Sequence, residues 1–160
     1  GLNKNSKNEL AILEMHVDLA AQTNELILVH TPHLEDKFKG TKLIIDVLKN
    51  HSRIQPERCI IDHVEEHTIK LAKDAGMWAG MTLYPESKCT AARAIDMLEI
   101  YGSDQIWMNS ACDWGVSVPL AVPYAALEMR KRRHATDLID KVIYQNPIQF
   151  MSQCPKFKLT

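Results

Sequence analysis

The sequence predicts an α/β fold in which the strands of a parallel sheet alternate with amphipathic helices. Three observations carry this expectation. Short, continuous apolar runs recur, at Leu26-Ile27-Leu28-Val29, Cys59-Ile60-Ile61, Met77 to Leu83 and Ile106-Trp107-Met108-Asn109. Runs of this length suit strands buried on both faces, as in parallel sheets. The longer stretches between them repeat apolar residues at helical spacing. Glycines follow two of those stretches, at Gly76 and Gly102, where a helix commonly ends.

Taken in order, Ser6 to about Thr23 reads as a helix. Ser6 with Glu9 forms a capping box, and Leu10, Leu13, Val17 and Ala20 follow at helical spacing. The first strand is expected at 26–30. A helix over Gly40 to Asn50 places Leu43, Ile44, Val47 and Leu48 on one face. The second strand is expected at 59–63, then a helix from Glu66 to Ala75. A third strand at 77–83 precedes a helix from Ser87 to Tyr101. The fourth strand is expected at 106–112 and a helix from Pro119 to Arg133, with Pro123 near its first turn. Short helices over Asp137–Tyr144 and Pro147–Ser152 close the chain. Such alternation implies right-handed crossovers between parallel strands. Periodicity leaves a doubly wound sheet and a barrel segment both open. No Gly/Ser linker or charge block divides residues 1–160, so one domain is expected.

Composition narrows the function. The 160 residues are 46% hydrophobic and 24% charged, which is enough for one packed core. A formal net charge of -1 gives no global field to draw in nucleic acid or an anionic membrane. The one basic cluster, Arg130-Lys131-Arg132-Arg133, ends a helical stretch, where cations favour the helix C-terminus; a phosphate contact is the second reading. Cys59, Cys89, Cys112 and Cys154 form no CxxC pair. They suggest a reduced, cytoplasmic setting. No apolar run reaches the ~20 residues of a membrane span, no signal peptide is visible, and the chain opens at Gly1 without Met. The glycine-rich turn of a dinucleotide site and the P-loop are both missing.

The informative polar residues gather at strand C-termini, where parallel α/β folds build their sites. The first strand ends Val29-His30-Thr31-Pro32-His33 and the second ends Ile61-Asp62-His63. The fourth runs into Asn109-Ser110-Ala111-Cys112-Asp113-Trp114-Gly115. Imidazoles and a carboxylate are the ligand set of catalytic zinc and related ions. Taken singly, each histidine also reads as a hydrogen-bonded structural residue and Asp113 as a turn or N-cap residue. Their shared position at three strand ends favours a site. His16 and His51 read as solvated and His134 as a helix-end cap.

The strands ending in His30, His63 and Asp113 resemble strands five, six and eight of the amidohydrolase superfamily, and within it the TatD-related metal-dependent hydrolases. Gly1-Leu2-Asn3 is similar to the segment after strand four of that family, and Asn146-Pro147 with Phe150 to its last helix. The resemblance covers nearly the whole chain and about half of the usual barrel. It implies half of a TIM-like (β/α)8 barrel, with four parallel strands and alternating helices. It implies one or two divalent ions, Zn, Mn or Mg. His30 and His63 would be ligands of one metal; Asp113 would be a ligand of the other and the group that handles the proton. His33, Glu65 and His67 would face substrate or support the ligands. The reaction implied is attack of metal-activated water on a phosphoester, or on an amide or lactone. The stretch from Asp62 to His67 and the sequence Thr31-Pro32-His33 differ from those of the TatD nucleases. A small-molecule or phosphoester substrate is thus favoured over nucleic acid. No His-x-His pair occurs in the sequence. A missing N-terminal half, or self-association of a half-barrel, is therefore expected. The alternative function is a non-catalytic half-barrel serving in binding or assembly.

Overall fold

The computed structural model describes residues 1–32, 36–85, 88–111 and 115–159. The chain alternates helix and strand in the order α1 (Lys7–Thr23), β1 (Ile27–His30), α2 (Lys37–Asn50), β2 (Cys59–Asp62), α3 (Ile69–Asp74), β3 (Trp78–Leu83), α4 (Ala91–Tyr101), β4 (Ile106–Ser110) and α5 (Ala121–Lys131). Two helices, α6 (Thr136–Asp140) and α7 (Asn146–Met151), complete it. The strands form one four-stranded sheet in the order β1-β2-β3-β4, and each neighbouring pair is parallel. Consecutive strands are therefore adjacent, the commonest arrangement for strands joined by helices.

Helix starts follow local chemistry more closely than apolar spacing does. Ser6 caps α1 through the expected box, with its hydroxyl on Glu9 N–H and the Glu9 carboxylate on Ser6 N–H. α2 begins at Lys37 rather than Gly40, because the Asp36 carboxylate accepts from Lys39 N–H. α3 begins at Ile69 rather than Glu66, since residues before it turn around Thr68, whose hydroxyl accepts from Glu65 N–H. α4 begins at Ala91, capped by Thr90, and Ser87 lies outside the described residues. The two expected terminal helices are joined by a wide π turn over Lys141–Gln145 into one helical stretch.

Side chains alternate between two faces of the sheet. Val29, Ile61, Ala79, Met81, Ile106 and Met108 point to the helices and join the main core with Ile44, Leu48, Ile95 and Met129. On the other face Ile60 and Trp78 pack with Phe150 of α7 and half-buried Trp107. The Phe150 ring meets both indoles edge-on, at centroid distances of 5.5 and 5.6 Å. Asn146 anchors this helix by donating to the carbonyls of Ser103 and Ile106 at 2.8 and 2.6 Å.

The expectation that β1 is buried on both faces is corrected. Its residues alternate buried and exposed, and Leu28 is 50% exposed. The exposed residues Leu28 and His30 share the face on which Phe150 packs against Ile60, Trp78 and Trp107 of the other three strands; β1 is also a sheet edge among the described residues, so one flank has no neighbouring strand. An open groove of about 340 Å³ runs along β1 and α1, and Ile12, Met15 and Leu19 of α1 are exposed beside it. Among the described residues no helix is long and apolar enough to cross a membrane.

Candidate metal centre

Register brings the polar residues together. His30 of β1 pairs with Asp62 of β2, Asp62 with Gly80 of β3, and Thr82 of β3 with Asn109 of β4. Strand alternation puts these residues on the same face as Trp78 and Trp107, at the sheet's C-terminal edge. The lower part of that face is aromatic and apolar, and its upper part is a polar row.

Asp62 lies at the centre of the row. Its Oδ1 accepts from the Thr82 hydroxyl at 2.9 Å and from Asn109 Nδ2 at 3.0 Å. Its Oδ2 lies 3.5 Å from Nδ1 of both His30 and His63. Gly80 makes room for this carboxylate, because a Cβ there would sit 2.6 Å from Asp62 Oδ1. A glycine inside a strand commonly marks such a close approach.

His63 follows β2 rather than ending it. Its φ of 62° lies in the left-handed region, which is costly for a residue with a Cβ. The turn is held from three sides. Val64 N–H donates to the Gly80 carbonyl at 3.0 Å. The Thr31 hydroxyl donates to the Asp62 carbonyl at 2.9 Å. The Lys37 ammonium donates to the His63 carbonyl at 2.9 Å and to Glu65 Oε1 at 2.5 Å. In this conformation His63 Nε2 lies 2.6 Å from His30 Nδ1, and His63 Nδ1 lies 2.7 Å from the Thr82 hydroxyl. The two imidazoles stack at 4.6 Å between centroids. The His63 side chain is 8% exposed and that of His30 67%, so one ring is anchored while the other faces solvent.

The rim beside the site is tied by ion pairs. Arg93 donates to both oxygens of Glu66, at 2.7 and 2.6 Å, and to the Lys88 carbonyl at 2.5 Å. These bonds from Arg93 hold the Glu66 carboxyl down at about 2.

Of the residues expected at the site, the structure brings His30 and His63 together. Glu65 lies one contact away, joined to His63 through Lys37. His67 is exposed and hydrogen-bonds to none of these side chains among the described residues. His33 and Asp113 lie outside the described residues. Asp62, Thr82 and Asn109 carry the row and were not singled out as site residues. The period-2 alternation that pairs Ile60 with Asp62, Trp78 with Thr82 and Trp107 with Asn109 is the signal that would have found them. Away from the site, Arg132 of the basic cluster pairs with Asp96, Glu99 and Glu128. The His134 backbone does close α5, by donating to the Met129 carbonyl, and its ring pairs with Glu99.

His30, Asp62 and His63 each offer a ligand atom within 4.8 Å of the others. Two imidazole nitrogens and a carboxylate oxygen suit a divalent ion of the zinc type. The donor set therefore fits such an ion, with His63 and Asp62 already held by hydrogen bonds from the sheet.

No known protein-family profile matches the chain. It is 25% identical over 148 residues to an uncharacterized metal-dependent hydrolase of Methanocaldococcus jannaschii, covering 91% of this chain and 57% of that protein. Its fold superimposes with a TM-score of 0.67, at 14% identity, on the crystal structure of a β-aspartyl dipeptidase from Fervidobacterium islandicum bound to a β-Asp-Leu dipeptide. That match covers 93% of this chain and 46% of the dipeptidase. The chain thus spans about half the length of the proteins it matches. The structural match carries the fold: four parallel strands alternating with helices.

Proposed function

We propose that this chain carries part of the active site of a TatD-related metal-dependent hydrolase. The convergence of His30 and His63 beside the Asp62 carboxylate is the observation that supports the reading most strongly. His30, His63 and Asp62 would hold the ion. When bound, a divalent ion of this type lowers the pKa of water and polarises a scissile oxygen. The chain's own residues do the rest. The sheet holds His63 and Asp62 rigid, and exposed His30 completes the grip. By family resemblance Asp113 adds a second carboxylate that takes the proton from the attacking water. A phosphoester, amide or lactone fits this chemistry.

The test is calorimetric titration of Zn²⁺ or Mn²⁺ into the wild type, His63→Ala and Asp62→Ala, beside hydrolysis of a panel of those ester, amide and lactone classes. Binding that falls at least ~10-fold in both variants is expected, the loss typical of a disturbed ligand shell. Equal affinity in wild type and His63→Ala would remove His63 from the ligand set.

A second reading, a binding or assembly half-barrel, rests on the open β1 edge and the exposed apolar flank of α1. Unprotected edges invite strand pairing. Light scattering at tens of micromolar should then show a dimer or higher species. A cooperatively folding monomer would exclude this second reading.

A further inference from the structure

We propose that Thr82 is a positioning residue that sets the tautomer of His63, holding its proton on Nδ1 so that Nε2 presents a lone pair to the site. The inference rests on the metal-centre reading for its purpose, and on hydrogen-bond arithmetic alone for its content.

A threonine hydroxyl has one hydrogen to give and lone pairs to accept with. Thr82 Oγ1 lies 2.9 Å from Asp62 Oδ1 and 2.7 Å from His63 Nδ1. An ionised carboxylate only accepts, so the hydroxyl hydrogen goes to Asp62. His63 Nδ1 must then donate to Thr82, and the neutral ring has its lone pair on Nε2. The opposite assignment would set a hydroxyl lone pair against a carboxylate oxygen at 2.9 Å, two acceptors face to face. Asn109 strengthens the choice. Its amide also donates to Asp62 Oδ1, which holds that oxygen where the Thr82 hydroxyl meets it.

The scaffold gives Thr82 little freedom to do otherwise. It is 1% exposed in the middle of the sheet, and its branched Cβ restricts rotation about χ1. Gly80, two residues earlier on the same face, leaves the space that lets the carboxylate reach it. Asn109 and Thr82 thus both donate to Asp62, His63 donates to Thr82, and the network spans three strands. It ends at His63 Nε2, 2.6 Å from His30 Nδ1. Metal-bound imidazoles commonly donate their second ring nitrogen to an oxygen partner, and losing that partner typically costs ~10–100-fold in affinity.

The experiment uses the metal-free chain labelled with ¹⁵N-histidine. Long-range proton–nitrogen spectra at about pH 8, where model imidazoles are neutral, report which ring nitrogen carries hydrogen. The His63 signals are identified by their loss in His63→Asn. The wild type and Thr82→Ser should show the proton on Nδ1, and Thr82→Val should move it toward Nε2. In a second arm, Zn²⁺ affinity should fall roughly 10–100-fold in Thr82→Val and return in Thr82→Ser. A wild-type His63 protonated on Nε2 overturns the proposal, and this measurement needs no Thr82 variant to fold. A Thr82→Val protein that keeps the Nδ1 proton overturns it as well. If the tautomer moves as expected and no form binds zinc, the positioning role stands and the metal-centre reading falls.

Discussion

Gly80→Ala is the most discriminating single change for the architecture of the site. The added methyl would lie 2.6 Å from Asp62 Oδ1 and 3.2 Å from the Asp62 Cα. The first distance is roughly 1 Å short of the ~3.5 Å optimum for van der Waals contact. Asp62 has a short side chain anchored by Thr82 and Asn109, so its carboxylate cannot retreat without stretching those bonds. A hydrogen bond to a charged group is worth about 1.5–3 kcal/mol. Alanine in a strand recovers about 0.5–1 kcal/mol relative to glycine. If one of the two bonds is lost, Gly80→Ala should destabilise the chain by about 1–2 kcal/mol; if both are lost, by up to ~5 kcal/mol. For a chain of this size each kcal/mol lowers Tm by about 2–4 °C. Urea unfolding and differential scanning calorimetry read this directly. In an Asp62→Ala background the contact with the carboxylate disappears and only the 3.2 Å approach to the Cα remains, so the same change should cost markedly less than in the wild type. The reasoning fails if Gly80→Ala costs as much in that background as in the wild type, or costs nothing in either.

Two further outcomes follow from the electrostatics. Arg93 depresses the Glu66 carboxyl to about 2 from its ordinary 4.5, so the stability this pair contributes is present above about 4.5 and is lost as pH falls toward 2. Arg93→Met should flatten the pH dependence of stability in that window, and added salt should weaken the difference because the pair is half exposed; parallel acid limbs would contradict this. Burial pushes the Cys59 thiol up to about 12 and the Cys89 thiol up to about 11. Mass mapping after native alkylation at about pH 8 should leave both unmodified while Cys154 reacts, because the thiolate is the nucleophile. Rapid labelling of Cys59 would show that the β2 end of the core opens locally.

The strand positions and their parallel order were legible because each strand is a compact apolar run bounded by amphipathic stretches. Helix starts were less so. The caps at Asp36 and Thr90 and the turn at Thr68 decide where α2, α4 and α3 begin. Those residues precede the apolar pattern that the eye follows. His30 and His63 stood out as polar residues at strand ends. Asp62 did not, because it completes the run Cys59-Ile60-Ile61-Asp62 and a single polar residue there resembles a strand terminus. Thr82 and Gly80 sit inside a run that reads as uniformly apolar, and only face-by-face counting separates them from Ala79, Met81 and Leu83. The left-handed turn at His63 has no local signature, since neither glycine nor asparagine marks it; Thr31, Lys37 and the Gly80 carbonyl impose it from elsewhere in the chain.

The polar row has a consequence for how this sequence can change. His30, Asp62, Thr82 and Asn109 each sit on a separate strand, and their spacing is set by main-chain pairing between neighbours. Residues added to the connections that join strand to helix leave that pairing intact, and such surface segments tolerate length change. One residue lost within β3 acts differently. It would turn Met81 toward the carboxylate and Thr82 into the helix layer, because a slip of one inverts every side chain beyond it. Apart from the connection that carries His63, the site is thus indifferent to the length of chain between its members and intolerant of a single-residue frameshift inside any strand that bears one.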